Sequence, residues 1–241
     1  MNDSVQNIKI ANLLELPSNI QAILWDMDGV LIDSLGLDVI ICNKLVQKHI
    51  DSNITLSRDY IRSIFAYDVP TFIKLILEKI QNEYKIPNAL EYYDQILEEY
   101  NTARQSEPFP VNPGINEILK DAKEKGLKQA IVSNNPTADV QEILDNCEIE
   151  NVFDEVIGND VEDGGKELQK KPAPDFYLLA AKKLDVEPKN CAVVEDSTIG
   201  TEAGYKAGCY VIGVATGSAD TDELKESKTI NIFYKSFENG S

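Results

Sequence analysis

The stretch AILWDMDGVLID, residues 22 to 33, runs four apolar residues into two aspartates one residue apart, Asp26 and Asp28, and then into Gly29. Two carboxylates at that spacing repel each other. Their proximity is useful where a cation relieves the repulsion. Three later stretches supply partners: Ser133, Asn134 and Asn135 in QAIVSNN, Lys171 in KKPAPDFY, and Glu195 with Asp196 in CAVVEDSTIG. Carboxylates, a hydroxyl and one ammonium, with no histidine or thiolate among them, make a hard oxygen site suited to Mg²⁺ and to a phosphate. A carboxylate attacking phosphorus there forms an acyl phosphate and divides one difficult displacement into two easier ones. Lysine and backbone amides hold the charge that develops on the equatorial oxygens.

Taken singly, each piece has a structural reading. An Asp-x-Asp is common on surfaces, an acidic pair after a strand caps a helix, and SNN before a proline starts one. What joins the pieces is their placement. Short apolar runs that are continuous rather than alternating read as buried parallel strands: AILW (22 to 25), QAIVS (129 to 133), VFDEVIG (152 to 158), CAVVE (191 to 195) and YVIGVA (210 to 215). Each polar cluster follows one of these runs, and in an open α/β sheet ligands sit outside the carboxyl ends of the strands. Helical patterns fall between the runs. Asn112 is expected to cap one helix with Pro113 at its first position, Ile115, Ile118, Leu119 and Ala122 inward and Gly126 closing it. Asn135 and Pro136 repeat that start, with Val140, Ile143 and Leu144 inward. The order predicts an α/β fold with a doubly wound parallel sheet.

Residues 35 to 107 contain four helical patterns and no convincing strand. Phe72, Leu75, Ile76 and Ile80 share one face, as do Leu90, Tyr93, Leu97 and Tyr100. This predicts a small all-helical cap domain, 35–107, inserted after the first strand into a core formed by 1–34 and 108–241. Ser34, Leu35 and Gly36 on one side and EPFPVNPG on the other are its connectors.

Composition narrows the function. The chain has 241 residues, 43% of them hydrophobic, and a formal charge of −18. That charge argues against nucleic acid and against an anionic membrane as partners. No apolar stretch is long enough to span a bilayer, and the opening MNDSVQNIKIANLLELPSN has no basic start followed by an apolar run. A soluble, cytoplasmic protein is expected, a monomer or weak homodimer. Cys42, Cys147, Cys191 and Cys209 lack metal-ligand spacing and read as reduced packing residues. The single histidine, His49, ends a helix-like segment and reads as solvated, which removes a Ser-His-Asp triad, a Cys-His pair and a multi-histidine zinc site. Carboxylates must carry the chemistry. The only arginines, Arg58, Arg62 and Arg104, fall in the helical insert and are read as ordinary ion-pairing residues, although arginine is also the natural clamp for a substrate carboxylate or second phosphate.

In order, DMDGVLIDS, IVSNN, KKPAPDFY and VVEDSTIG resemble the four signature motifs of the haloacid dehalogenase superfamily of Mg²⁺-dependent phosphohydrolases, over the chain from about residue 20 onward. The helical insert resembles the cap of the subgroup that holds phosphoglycolate phosphatase, sugar-phosphate phosphatases and β-phosphoglucomutase. The resemblance implies a Rossmann-like core and Mg²⁺, with Asp26 as nucleophile and metal ligand. It makes Asp28 the general acid and base, its carbonyl on the metal, and gives Gly29 the sharp turn beneath the site. Ser133 and the amide of Asn134 take the phosphate; Lys171 bridges nucleophile and phosphoryl oxygens, with Lys170 left on the surface. Asp196 is implied as a direct metal ligand and Glu195 as a second one acting through water.

The function implied is hydrolysis of a small phosphorylated metabolite, a sugar phosphate, phosphoglycolate or similar monoester, through an aspartyl phosphate. A β-phosphoglucomutase-like transferase and a protein of this fold with a mainly binding or regulatory role are the alternatives. The mutase carries a histidine near the position of Asp38, which this chain lacks. The connector NDVEDGGKELQK is longer than usual in the family, and LSRDYIRSIFAYD lacks the glycine of its specificity loop. A dehalogenase has no need of Asp28. A phosphonate hydrolase would need a cap lysine poised as a Schiff base, and nothing marks Lys44, Lys48 or Lys74 as that residue. Response-regulator receivers share the acidic pocket and lysine but are shorter and lack the insert.

Overall fold

The structure, a computed structural model, describes residues 8–11, 13–65, 67–149, 152–217, 219 and 221–237. These form two compact units, one of the described residues up to Asp33 together with those from Val111 onward, the other Ser34–Pro110.

The first unit is α/β. Its strands are β1 (Ile8–Ile10), β2 (Leu14–Leu16), β3 (Ala22–Trp25), β4 (Lys128–Val132), β5 (Glu155–Ile157), β6 (Glu162–Asp163), β7 (Lys166–Glu167), β8 (Cys191–Glu195), β9 (Tyr210–Val214) and β10 (Ile232–Tyr234). Six of them form one parallel sheet in the order β10-β9-β8-β3-β4-β5. The chain winds outward from β3 in one direction through β4 and β5 and in the other through β8, β9 and β10. The change of direction at β3 opens a crevice at its carboxyl end. All four residues of β3 are fully buried, as a continuous apolar run in a central parallel strand requires. Trp25 is core: its Nε1 donates to Gln129 Oε1 at 3.0 Å, and Gln129 Nε2 donates to Leu119 O at 2.9 Å, so neither buried polar group is left unpaired.

Besides the edge strand β10, two hairpins lie outside the sequence reading. β1 and β2 form an antiparallel hairpin ahead of the sheet. The long connector folds into the β6–β7 hairpin, which turns through Gly164 and Gly165, both at positive φ, the conformation a tight two-residue turn requires.

The second unit contains α1 (Ser34–His49), α2 (Arg58–Ile64), α3 (Val69–Glu83) and α4 (Tyr93–Ser106), with no strand among its described residues. It has its own core, in which Ile41, Ile61, Phe72, Ile76, Ile80, Ile96 and Tyr100 are buried. Burying a side chain of this size contributes about 1.5–3 kcal/mol. Of the predicted face along α4, Tyr100 is buried and Tyr93 and Leu97 pack partly buried against this core, but the residue ahead of the helix departs from it. Leu90 lies in a 3-10 turn (Ala89–Tyr92) and is 37% exposed, while Ile96 is buried. The tighter turn shifts the phase of the residues ahead of the helix. His49 is not a solvated terminus: its side chain is 11% exposed and its Nε2 lies 3.0 Å from Glu99.

The first unit's helices are α5 (Ile115–Glu124), α6 (Thr137–Asn146), α7 (Asp175–Lys183), α8 (Thr198–Lys206) and α9 (Thr221–Glu226). The caps of α5 and α6 differ from expectation. Gly114, at φ +85, occupies the N-cap of α5, and Asn112 turns its amide elsewhere. At α6 the first-turn amide of Thr137 donates to Asp160 Oδ1 at 2.8 Å, which frees Asn135 for a longer-range partner. Val140 is fully buried and Ile143 and Leu144 are half-buried. No helix among the described residues is long and apolar enough to cross a membrane.

Candidate active site

Three strand ends and one crossover deliver the predicted residues to one edge of the sheet. Asp26 directly follows β3, and its amide still donates to Val194 O at 3.0 Å, so its backbone is held against β8. Ser133 directly follows β4, with its amide on Ile157 O at 2.9 Å. Glu195 is the last residue of β8 and Asp196 the next. Lys171 precedes α7 in the crossover after β5.

The side chains converge. Lys171 Nζ donates to Asp26 Oδ1 at 2.5 Å, to Glu195 Oε1 at 2.6 Å and to Val132 O at 2.8 Å. Asp26, Glu195 and Asp196 each bring a carboxylate oxygen within 4.8 Å of the others. All three carboxyls and the ammonium are buried or nearly so, Asp26 at 9% exposure being the most open. Burial pushes the Asp26 carboxyl well above the usual carboxylate range; Glu195 and Asp196 push the same way and Lys171 opposes them. Burial disfavours the Lys171 ammonium, but Asp26 and Glu195 outweigh it and hold the lysine charged.

Glu195 is held on both oxygens. Oε1 also accepts from Tyr177 Oη at 2.7 Å, and Oε2 accepts from Ser197 Oγ at 3.0 Å. Ser197 is at the same time the N-cap of α8, its Oγ accepting from the Gly200 amide at 3.1 Å. A Cβ on Gly200 would lie 1.9 Å from Glu195 Cδ, so only glycine lets the carboxylate sit against the first turn of that helix. Tyr177 is fully buried with Lys171 5.0 Å from its ring centre, and burial and Glu195 together raise its hydroxyl pKa.

Asp28 stands apart. Its Oδ2 accepts from Asn135 Nδ2 at 2.8 Å, and its carboxylate is outside the acidic cluster. Gly29 follows at φ +78, with Asp196 and Gly217 so close that no side chain fits. Asn134 accepts the Lys171 amide on Oδ1 at 3.2 Å, Ser133 Oγ accepts the Asn135 amide at 3.1 Å, and Lys170 is exposed. The donor set is all oxygen and carries more negative charge than one lysine balances. That composition fits a hard divalent cation rather than zinc.

Sequence reasoning overlooked Tyr177 and the partner role of Asn135. A tyrosine beside Phe176 on a buried helix face is itself a signal, because a buried hydroxyl demands an acceptor. For Asn135 the local capping signal masked the longer-range bond.

Comparisons with known proteins place the chain in a family. A family model for haloacid dehalogenase-like hydrolases matches residues 20–208. A phosphorylated carbohydrates phosphatase of Thermotoga maritima is 28% identical over 212 residues, 87% of this chain and 92% of that protein. A phosphoglycolate phosphatase of Aquifex aeolicus is 30% identical over 190 residues, 78% of this chain and 81% of that protein. Among solved structures, a β-phosphoglucomutase of Clostridium difficile superposes with a TM-score of 0.53 at 26% identity, covering 90% of this chain and 92% of the other. The chain belongs to the haloacid dehalogenase-like hydrolases.

Proposed function

We propose that this protein is a Mg²⁺-dependent phosphatase of a small phosphorylated metabolite, a sugar phosphate, phosphoglycolate or similar monoester, working through an aspartyl phosphate on Asp26. The observation that carries the reading is Lys171, a buried ammonium shared between Asp26 and Glu195 beside a third carboxylate. The phosphatase relatives named above support the substrate class.

In this reading an Asp26 oxygen attacks phosphorus in line. The bond to the leaving oxygen breaks, and Asp28 gives that oxygen its proton. Asp28, now a base, takes a proton from water, which attacks the same phosphorus, releases inorganic phosphate and restores Asp26. Lys171, Ser133 and the Asn134 amide hold the phosphoryl oxygens. Asn135 keeps the Asp28 carboxylate from turning back onto the acidic cluster. Asp26, Asp196 and the Asp28 carbonyl, with Glu195 through water, would hold the cation, which when bound screens the attack of a carboxylate on a phosphate.

Hydrolysis is favoured over phosphoryl transfer between sugar positions by Asp38. Its carboxylate is 2% exposed and accepts from Tyr100 Oη at 2.8 Å and Arg104 Nε at 2.8 Å, an acceptor in a closed cluster rather than a proton donor. The deciding experiment is phosphate release from p-nitrophenyl phosphate and from a panel of sugar, glycerol and glycolate phosphates, with and without Mg²⁺. Release that needs Mg²⁺ and vanishes in Asp26→Asn is the expected result. No release from any of them, with Mg²⁺ still bound, would turn the assignment toward a bisphosphate-activated mutase or a binding role.

A further inference from the structure

Among the few buried polar residues of the α/β unit, Asn112 has no part in the chemistry above, yet it is only 4% exposed. It lies on the segment that re-enters this unit, where Val111 bridges to Ile32 and the Asn112 amide donates to Leu31 O at 3.0 Å. Its side-chain Nδ2 donates to Gly29 O at 3.0 Å and to Val30 O at 2.9 Å. Those carbonyls belong to the turn directly after Asp28, past the end of β3, where no neighbouring strand satisfies them. The Gly29 carbonyl takes a second donor, the hydroxyl of Thr216, from the loop after β9. Beside it, a Cβ on Gly217 would lie 1.8 Å from Asp196 Oδ2 and 2.9 Å from the Gly29 Cα. Two segments far apart in sequence thus meet on one carbonyl oxygen.

We infer that Asn112 and Thr216 are positioning residues that clamp the Asp28–Gly29–Val30 turn from two sides and so set where the Asp28 carboxyl stands. The inference rests on the phosphatase reading for its effect on rate, but not for the clamp itself. A buried amide is not needed at residue 112 to start α5, since Gly114 caps that helix. Its two bonds go to consecutive carbonyls of a turn whose tightness already depends on Gly29 at positive φ. Losing either donor leaves a nearly buried carbonyl short of a partner and lets the turn shift. A shift of about 1 Å in an acid-base group is enough to slow a reaction on the order of a hundredfold.

The test pairs isosteric variants with a rescue. Thr216→Val removes only the hydroxyl and Thr216→Ser keeps it; Asn112→Leu removes both amide donors at similar size. At saturating Mg²⁺, Thr216→Val and Asn112→Leu should each lower kcat for p-nitrophenyl phosphate about tenfold, with KM within about twofold, and Thr216→Ser should stay near wild type. The double variant should lose less than the product of the two single losses, because both donors serve one oxygen. Hydrogen exchange at the amides of Gly29 to Ile32, which needs no turnover, should speed up about tenfold in both single variants. Unchanged exchange overturns the clamp whatever the enzyme does, as does Thr216→Ser falling as far as Thr216→Val. A wild type that hydrolyses nothing, with exchange faster in the variants, overturns the phosphatase reading and leaves the clamp standing.

Discussion

Asn135 donates its side-chain amide to Asp28 at 2.8 Å, and in doing so holds the second aspartate of the motif outside the cluster formed by Asp26, Glu195 and Asp196. Removing that bond takes away the donor that orients the Asp28 carboxylate. Asn135→Ala should therefore lower kcat about tenfold while leaving KM nearly unchanged, and Asp28→Asn should lose about a hundredfold or more. Steady-state kinetics on p-nitrophenyl phosphate separates the two, and an Asn135→Ala enzyme as fast as wild type would remove the positioning role.

Lys171 is a buried ammonium paired with two of the three clustered carboxylates, Asp26 and Glu195. Lys171→Met keeps most of the volume and removes the charge. Breaking a buried pair in this way costs about 3–5 kcal/mol. Thermal unfolding in chelator should show a clear fall in Tm relative to wild type, and millimolar Mg²⁺ should recover part of it, since a cation that binds only the folded state stabilises it. Equal melting temperatures in chelator would mean that the lysine is not the compensating charge.

Gly200→Ala places a methyl 1.9 Å from the Glu195 carboxyl carbon. The carboxylate must move, and with it the contacts to Lys171, Tyr177 and Ser197. Overpacking of this kind costs about 1–3 kcal/mol. Urea unfolding should report it as a lower midpoint with an unchanged slope, and a midpoint within error of wild type would show that the helix yields instead.

In the helical unit, hydrogen bonds from Lys48 and His49 hold the Glu99 carboxyl down at about 2, against an ordinary value of 4.5. A depressed carboxylate contributes stability that is fully present above the unfolded value and is lost as pH falls toward the folded one. Melting curves of wild type and Glu99→Gln should therefore differ near pH 6 and converge between about pH 4.5 and pH 2. A gap that stays constant through that window would show that Glu99 does not titrate there.

The central strands were legible because burial on both faces leaves a continuous apolar signature: CAVVE coincides with β8 and AILW with β3. The polar residues after those strands were legible for the same reason, since an abrupt end to an apolar run marks a strand's carboxyl end. Ile8–Ile10, Leu14–Leu16 and Ile232–Tyr234 have three residues each, too few for a pattern to rise above chance. Asn112 and Asn135 were misread for a different reason. Both stand beside a proline, where an asparagine usually caps a helix, and nothing local tells that the amide reaches a carbonyl or carboxylate more than eighty residues away. Tyr177 and Thr216 likewise act through partners that only the folded sheet brings near.

Ile32 and Val111 are paired, so the chain leaves the α/β unit and returns to it at adjacent points, about one strand spacing apart. A turn of a few residues spans such a gap. The covalent path of the sheet therefore closes equally well around a long excursion, a short one or none.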